Sequence, residues 1–203
     1  MGKMSKRKGS NTENTLAKIL REHFMPDVDP KTAYQMVHRT PLSGGHVERG
    51  DLIIKPPVLK YFPWFIECRN RENWDWPQIW KQAEKSLIIR WFLVDAVEKC
   101  HPYDQNERYQ RLPMLVFTKN QQPLYFAAWL EDLSMRGIEA YQFDSVMYVP
   151  ITVDKQVEKK YVVIGDFERM LTLHPVPDTN VMQEQINTYL GVTNECLKGV
   201  DSG

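Results

Sequence analysis

Apolar residues recur along this chain at two spacings, and the switches between them divide it into elements. Leu16, Ala17, Leu20 and Phe24 follow helical spacing, and Ser10 is a good N-cap, so a first helix is expected from about Asn11 to Phe24. Pro26 and the Asp/Pro-rich segment through Pro30 end it. Residues 31–47 read as a loop, with Ser43-Gly-Gly45 marking a turn. Two strand-like runs follow, Glu48-Arg-Gly-Asp-Leu-Ile-Ile-Lys55 and Trp64-Phe-Ile-Glu-Cys-Arg69, read as a hairpin joined across Pro56-Pro57.

Asp75-Trp-Pro77 then opens a long helix, with Asp75 as cap and Pro77 in the first turn. Ile79, Ala83, Leu87, Trp91, Val94 and Val97 carry one apolar face to Cys100, where His101-Pro102 stops it. Beyond a polar loop, strands are expected at 112–118 and 123–128, flanking a turn at Lys119-Asn-Gln-Gln122. A short helix at 130–136 stops at Gly137, strands lie near 138–149 and 160–164, and a helical turn runs from Asp166 to Leu171. The tail holds one weak helix around 181–190. The order helix, strand, strand, long helix, strand, strand, plus an extension, describes an α/β protein with a mixed central sheet flanked by helices. The segments expected are a flexible basic arm at 1–9, a core at 10–136, appended strands and a short helix at 137–175, and a largely flexible tail at 176–203.

Composition changes this picture little. The 203 residues suit one domain of ordinary size, and 26 basic against 26 acidic residues give no global attraction to polyanions. Charge is local instead: Lys3, Lys6, Arg7 and Lys8 crowd the first residues. Cys68, Cys100 and Cys196 are far apart and odd in number, which argues against a disulfide framework or a zinc site and for reduced thiols in a cytoplasm. No apolar run reaches membrane-spanning length; Ser86-Leu-Ile-Ile-Arg-Trp-Phe-Leu-Val94 is short and interrupted by Arg90.

The chemistry lies in carboxylates inside apolar strands. Asp51 and Glu67 occupy segments where a charge is costly to bury unless another charge pairs with it. Glu67 and Arg69 are two apart, so on a strand they share a face. Glu13 shares the apolar stripe of the first helix, which would aim it at the sheet. Each has a plainer explanation. Ser10-Asn-Thr-Glu13 is also a capping-box pattern, Gly50-Asp51 is a common turn dipeptide, and Arg69 could simply pair with Glu13 or Asp51. Glu67 has no such alternative, because Phe65, Ile66 and Cys68 surround it with no turn signal.

Asp, a short loop and then Glu-x-basic resembles the PD-(D/E)XK nuclease superfamily. The resemblance covers residues 10–130 and extends to Leu112-Pro-Met-Leu-Val-Phe-Thr-Lys-Asn120 and Pro123-Leu-Tyr-Phe-Ala-Ala-Trp129, which look like the third and fourth core strands of phage-encoded Holliday junction resolvase-like endonucleases. It implies a restriction-endonuclease-like core and hydrolysis of DNA phosphodiester bonds with Mg²⁺ or Mn²⁺. The implied metal ligands are Asp51, Glu67, the backbone carbonyl of Cys68, and Glu13. The implied substrate is branched DNA and the implied assembly a homodimer, since two strands must be cut symmetrically. Lys6, Arg7 and Lys8 of the arm, together with Arg71, Lys85 and Lys119, are the candidate DNA contacts, although Arg71 also reads as part of a solvated strand end. The chain departs from the family at Arg69, where a lysine is usual. Arg is essentially never neutral, so it can clamp a phosphate but shifts water activation to the metal or to another residue such as Lys85. A DNA-binding protein that kept the fold without catalysis, or a general DNA-processing nuclease, are the alternatives that this departure leaves open.

Overall fold

The computed structural model describes residues 3–41, 50–81, 85–100, 111–120, 122–143, 145–152 and 159–198, with the side chains of 3–9, 140, 152, 159 and 192–198 outside that description. The turn expected at Ser43-Gly-Gly45 and the side chains of Lys6, Arg7 and Lys8 therefore lie outside it.

Helix α1 runs Lys3–Phe24, well ahead of the expected start. Lys and Arg are strong helix formers, and nothing in this stretch forces a cap at Ser10. The backbone of the expected arm is thus helical from Lys3 onward, and Ser10 is an interior residue rather than an N-cap. Leu16, Ala17, Leu20 and Phe24 are fully buried as their spacing requires.

The expected loop at 31–47 instead contains α2 (Pro30–Met36) and strand β1 (Val37–Arg39). The Asp29 carboxylate caps α2 by accepting from the Lys31 and Thr32 amides, so the Asp-Pro pair that ends one helix also begins the next. Strand β2 (Leu52–Ile54) pairs antiparallel with β1, not with the strand that follows. The expected hairpin fails because Pro56-Pro57 start a helical turn, α3 (Pro56–Leu59), and proline at a helix start is more at home than proline in a ladder.

Strand β3 (Trp64–Asn70) enters the main sheet at its edge. It lies parallel to β4 (Leu112–Thr118), with Glu67 opposite Leu115. Parallel neighbours need a long crossover, and a broken helical run supplies it. α4 (Trp76–Lys81) is followed by α5 (Leu87–Trp91), a π-helical segment (Phe92–Val97) and α6 (Glu98–Cys100). The single long helix expected from residue 75 is interrupted where Ser86 caps a new start by accepting from the Ile89 amide at 3.3 Å.

β4 turns back into β5 (Tyr125–Trp129), antiparallel as expected. α7 (Leu130–Met135) follows and stops at Gly137, whose φ of +72° is a left-handed conformation suited to glycine. Then come β6 (Val146–Thr152), β7 (Lys159–Asp166), α8 (Phe167–Thr172) and α9 (Thr179–Lys198).

The five-stranded order is β3-β4-β5-β7-β6, with only the β3–β4 pair parallel. The last third of the chain is therefore not an appendage. β7 pairs directly with β5, so a boundary at residue 136 would divide the sheet. The tail is not loose either, since Met182 and Ile186 of α9 are buried in the main core and Gln185 donates to the Tyr61 hydroxyl at 3.1 Å. One sheet face packs against α1, α2, α3, α8 and α9, and the other against the α4–α6 run. Among the described residues no helix is long and apolar enough to cross a membrane.

Candidate active site

β3 is an edge strand, and its free edge is where the site forms. Asp51 stands against it just ahead of β2. The Asp51 amide donates to the Ile66 carbonyl at 3.0 Å, and one Asp51 carboxylate oxygen accepts from the Cys68 amide at 2.7 Å. Edge groups that would otherwise be unpaired are thereby satisfied, and a carboxylate is fixed beside the strand. Gly50 makes this approach possible. Its φ is +93°, and a Cβ there would lie 3.0 Å from the Phe65 ring. The turn reading of Gly50-Asp51 is thus correct for the backbone and leaves the carboxylate free to build a site.

Glu67 points from β3 toward the helical run and is almost fully buried, at 2 % exposure. The Lys99 ammonium donates to its Oε2 at 2.9 Å. Arg69 shares that face and carries the densest set of contacts in the site. Its Nη1 donates to the Cys68 carbonyl at 2.8 Å and lies 3.4 Å from Glu67 Oε2 and 3.7 Å from Asp51 Oδ2. Its opposite edge faces Asp95, with Nε and Nη2 at 3.0 Å and 2.6 Å from Oδ2. Asp95 belongs to the π-helical segment, a wider helical turn that often accompanies functional positions.

Glu13, from α1, is buried beside this group and pairs tightly with Arg39 of β1. With Ser10 inside the helix, the capping-box explanation of Glu13 no longer applies. Asn70 ties α1 to the end of β3 by donating to the Thr12 hydroxyl at 3.0 Å, while its own buried Oδ1 has no hydrogen-bond partner among the described residues.

The electrostatics follow from burial. Desolvation, then the Asp51 charge, raises the Glu67 carboxyl from 4.5 to about 7, against the opposing pull of Lys99 and Arg69. Asp51 is raised by its own desolvation, and Glu13 by desolvation and then by the Asp51 charge. Burial alone would lower Arg69, but Asp95, Glu67 and Asp51 outweigh it and hold the guanidinium charged. Burial, then the neighbouring carboxylates, pushes the Cys68 thiol well up, so this cysteine offers its carbonyl and not a thiolate. Among the described residues four carboxylates, Glu13, Asp51, Glu67 and Asp95, thus meet three cations, Arg39, Arg69 and Lys99. A further cation would favour the ionised form of the raised carboxyls.

The donor set fits a hard divalent ion: two carboxylates and a backbone carbonyl, all oxygen. Among the described residues no group of three or more His, Cys, Asp or Glu is placed to hold a metal. An ion here would therefore rest on Asp51, Glu67 and the Cys68 carbonyl, completed by water.

Of the residues singled out from sequence, Asp51, Glu67, Cys68 and Arg69 come together, and Glu13 lies within electrostatic range of Asp51. Lys85 does not join them; it is exposed between α4 and α5, whereas the cation that faces Glu67, Lys99, lies on α6. Lys119 is engaged structurally, donating to the Trp74 carbonyl at 3.3 Å with its ammonium 4.8 Å from the Trp74 ring centre. The Arg71 amide continues the β3–β4 ladder by donating to Thr118.

Sequence reasoning missed Arg39, Asp95 and Lys99. Arg39 lay in a segment read as loop. Asp95 and Lys99 are one helical turn apart, and an acid-base pair beside the apolar stripe was the available signal.

A family model described as "Phage putative PDDEXK endonuclease" matches residues 4–179, and the chain belongs to that family. No curated protein and no solved structure matches it.

Proposed function

We propose that this protein is a divalent-metal-dependent endonuclease that hydrolyses DNA phosphodiester bonds, with branched DNA, such as a four-way junction, as its preferred substrate. Family membership supports the nuclease class. One observation carries the metal-dependent reading: the Asp51 and Glu67 carboxylates and the Cys68 carbonyl surround a single cationic nitrogen, Arg69 Nη1. The preference for branched DNA and a homodimeric assembly rest on the likeness of β4 and β5 to the junction resolvase-like strands.

In this reading Asp51, Glu67 and the Cys68 carbonyl hold the ion, and Glu13 borders the site. A bound Mg²⁺ or Mn²⁺ polarises phosphate and lowers the pKa of its water. The chain's own groups do the rest. The Cys68 amide keeps the Asp51 carboxylate oriented. Lys99 holds Glu67 by donating to its Oε2. Arg69 presents the planar fork that binds a phosphate through two parallel hydrogen bonds. Lys6, Arg7, Lys8, Arg71, Lys85 and Lys119 would supply contacts to flanking phosphates, with Lys119 the most constrained of them.

The deciding experiment is nicking of a four-way junction and of linear duplex with Mg²⁺ or Mn²⁺. Cleavage confined to the junction is expected. Cleavage of both identifies a general nuclease. Cleavage of neither favours the second reading, a DNA-binding protein without catalysis, for which the specific observation is that Arg69 and Lys99 already pair with Glu67 and Asp51.

A further inference from the structure

Arg69 is held on both edges, and the two edges face different things. Nη1 lies among the Cys68 carbonyl, Glu67 and Asp51 at 2.8, 3.4 and 3.7 Å. Nε and Nη2 face a single Asp95 oxygen at 3.0 and 2.6 Å. The three oxygens around Nη1 are the same three assigned to the ion. Magnesium needs such oxygens at roughly 2.0–2.1 Å, so it cannot share their centre with a guanidinium nitrogen.

We propose that Arg69 is a built-in cation seated in the metal position, latched there by Asp95, and that a DNA phosphate draws it out so that metal loading and DNA binding reinforce each other. The proposal rests on the metal-dependent reading above. It also accounts for arginine where the family usually has lysine. An ammonium is one point charge and has no second edge for Asp95, whereas a guanidinium spans both partners and matches a phosphate bidentately. Without DNA, Arg69 offsets part of the repulsion between two buried acids and keeps the ligand oxygens satisfied. With a phosphate beside it, the guanidinium has a stronger bidentate partner, and its departure clears the centre between the oxygens for the ion while Lys99 stays on Glu67 and the Cys68 amide on Asp51. Reciprocity follows from linkage: whatever factor DNA adds to metal affinity, metal adds to DNA affinity.

The test is Mn²⁺ binding, read by electron paramagnetic resonance, to the full chain and to Arg69→Gln and Asp95→Ala. Each is titrated alone and with a phosphorothioate-linked four-way junction. Without DNA, both variants are expected to bind Mn²⁺ at least about fivefold more tightly than wild type, the lower end of usual coupling between sites. The junction is expected to tighten Mn²⁺ binding by wild type by a similar factor and to leave Arg69→Gln unchanged. Asp95→Ala keeps Arg69 and every ligand oxygen, so it decides the matter even where Arg69→Gln folds poorly. Equal Mn²⁺ affinity in all three proteins, or a wild type indifferent to the junction, overturns the latch. If those proteins bind Mn²⁺ equally and wild type still cleaves, only the latch falls. If none binds Mn²⁺ at millimolar concentration, the metal-dependent reading falls with it.

Discussion

Strand β3 carries a buried polar group at each end, and the two ends contrast sharply. At its start, the Trp64 indole donates to His174 Nε2 at 2.8 Å, leaving Nδ1 to donate to the Met170 carbonyl at 3.1 Å. Burial lowers this imidazole to about 4, so it is neutral, and the pair is a closed hydrogen-bonded unit inside the core. At its far end, Glu67 and Arg69 belong to a charged group in which, among the described residues, four carboxylates face three cations. There the Glu67 carboxyl is raised to about 7, and the nearby Asn70 oxygen has no partner among the described residues. Burial alone therefore does not mark a functional residue. A structural polar pair uses neutral partners and completes its bonds, whereas a site retains an imbalance that an ion or a substrate can relieve.

The largest expected effect breaks the far end. Glu67→Gln should lower nicking of a four-way junction by about a hundredfold or more, the scale of losing one pre-positioned electrostatic group. DNA binding, measured by mobility shift, should stay level or improve because a negative charge near phosphate is gone. Wild-type nicking by this variant would return Glu67 to the structural class that His174 represents.

Glu13→Gln should cost less, about tenfold in nicking, as for a group that supports a site from its margin. Glutamine can still accept from Arg39, so the melting temperature should hold. Loss of stability with full activity would make the Glu13–Arg39 pair purely structural.

At the near end the pattern should invert. Trp64→Phe leaves His174 Nε2 without its buried donor and should destabilise the fold by about 1–3 kcal/mol in denaturant unfolding. Nicking at a temperature where the variant is folded should be unchanged.

The smallest effect is a pH dependence. The Glu67 carboxyl stands at about 7 in the folded chain against an ordinary 4.5, so the folded state binds more protons than the unfolded chain between those values. Its contribution is then most favourable below about 4.5 and is lost as pH rises through about 7. Glu67 should therefore pull the metal-free melting temperature downward across that window, and Glu67→Gln should remove that pull. His174, lowered from 6.5 to about 4, acts the other way, because the unfolded chain binds its proton between those values, and its contribution is common to both proteins. A slope identical in wild type and Glu67→Gln would show that the raised carboxyl is not Glu67.

Much of this site could be read before any fold was known, because its central residues are local. Gly50-Asp51 and Glu67-Cys68-Arg69 sit within two short runs whose apolar neighbours make a charge conspicuous, and the alternation of a strand puts Glu67 and Arg69 on one face. The β4–β5 pair and the stop at Gly137 were local in the same sense, set by β-branched and aromatic runs and by a left-handed glycine.

What sequence left undetermined depended on contacts between distant segments. Ser10 looked like a cap because residues before it carry no apolar stripe, yet Lys and Arg extend the helix through it. The tail looked loose because its apolar residues are sparse, and only docking against the main core gives Met182 and Ile186 somewhere to be buried. Asp95, Lys99 and Arg39 were missed as site residues for the same reason. A charged side chain on a helix reads as solvated until the crossover from β3 to β4 lays that helix over Glu67. The sequence by itself determined where acids and a base stand among apolar strand residues, since residue type and strand period are properties of a few neighbours. Tertiary structure alone decided which cations face those carboxylates, and with them the state of the site, because Coulomb interactions at a few ångströms depend on position in space and not on separation along the chain.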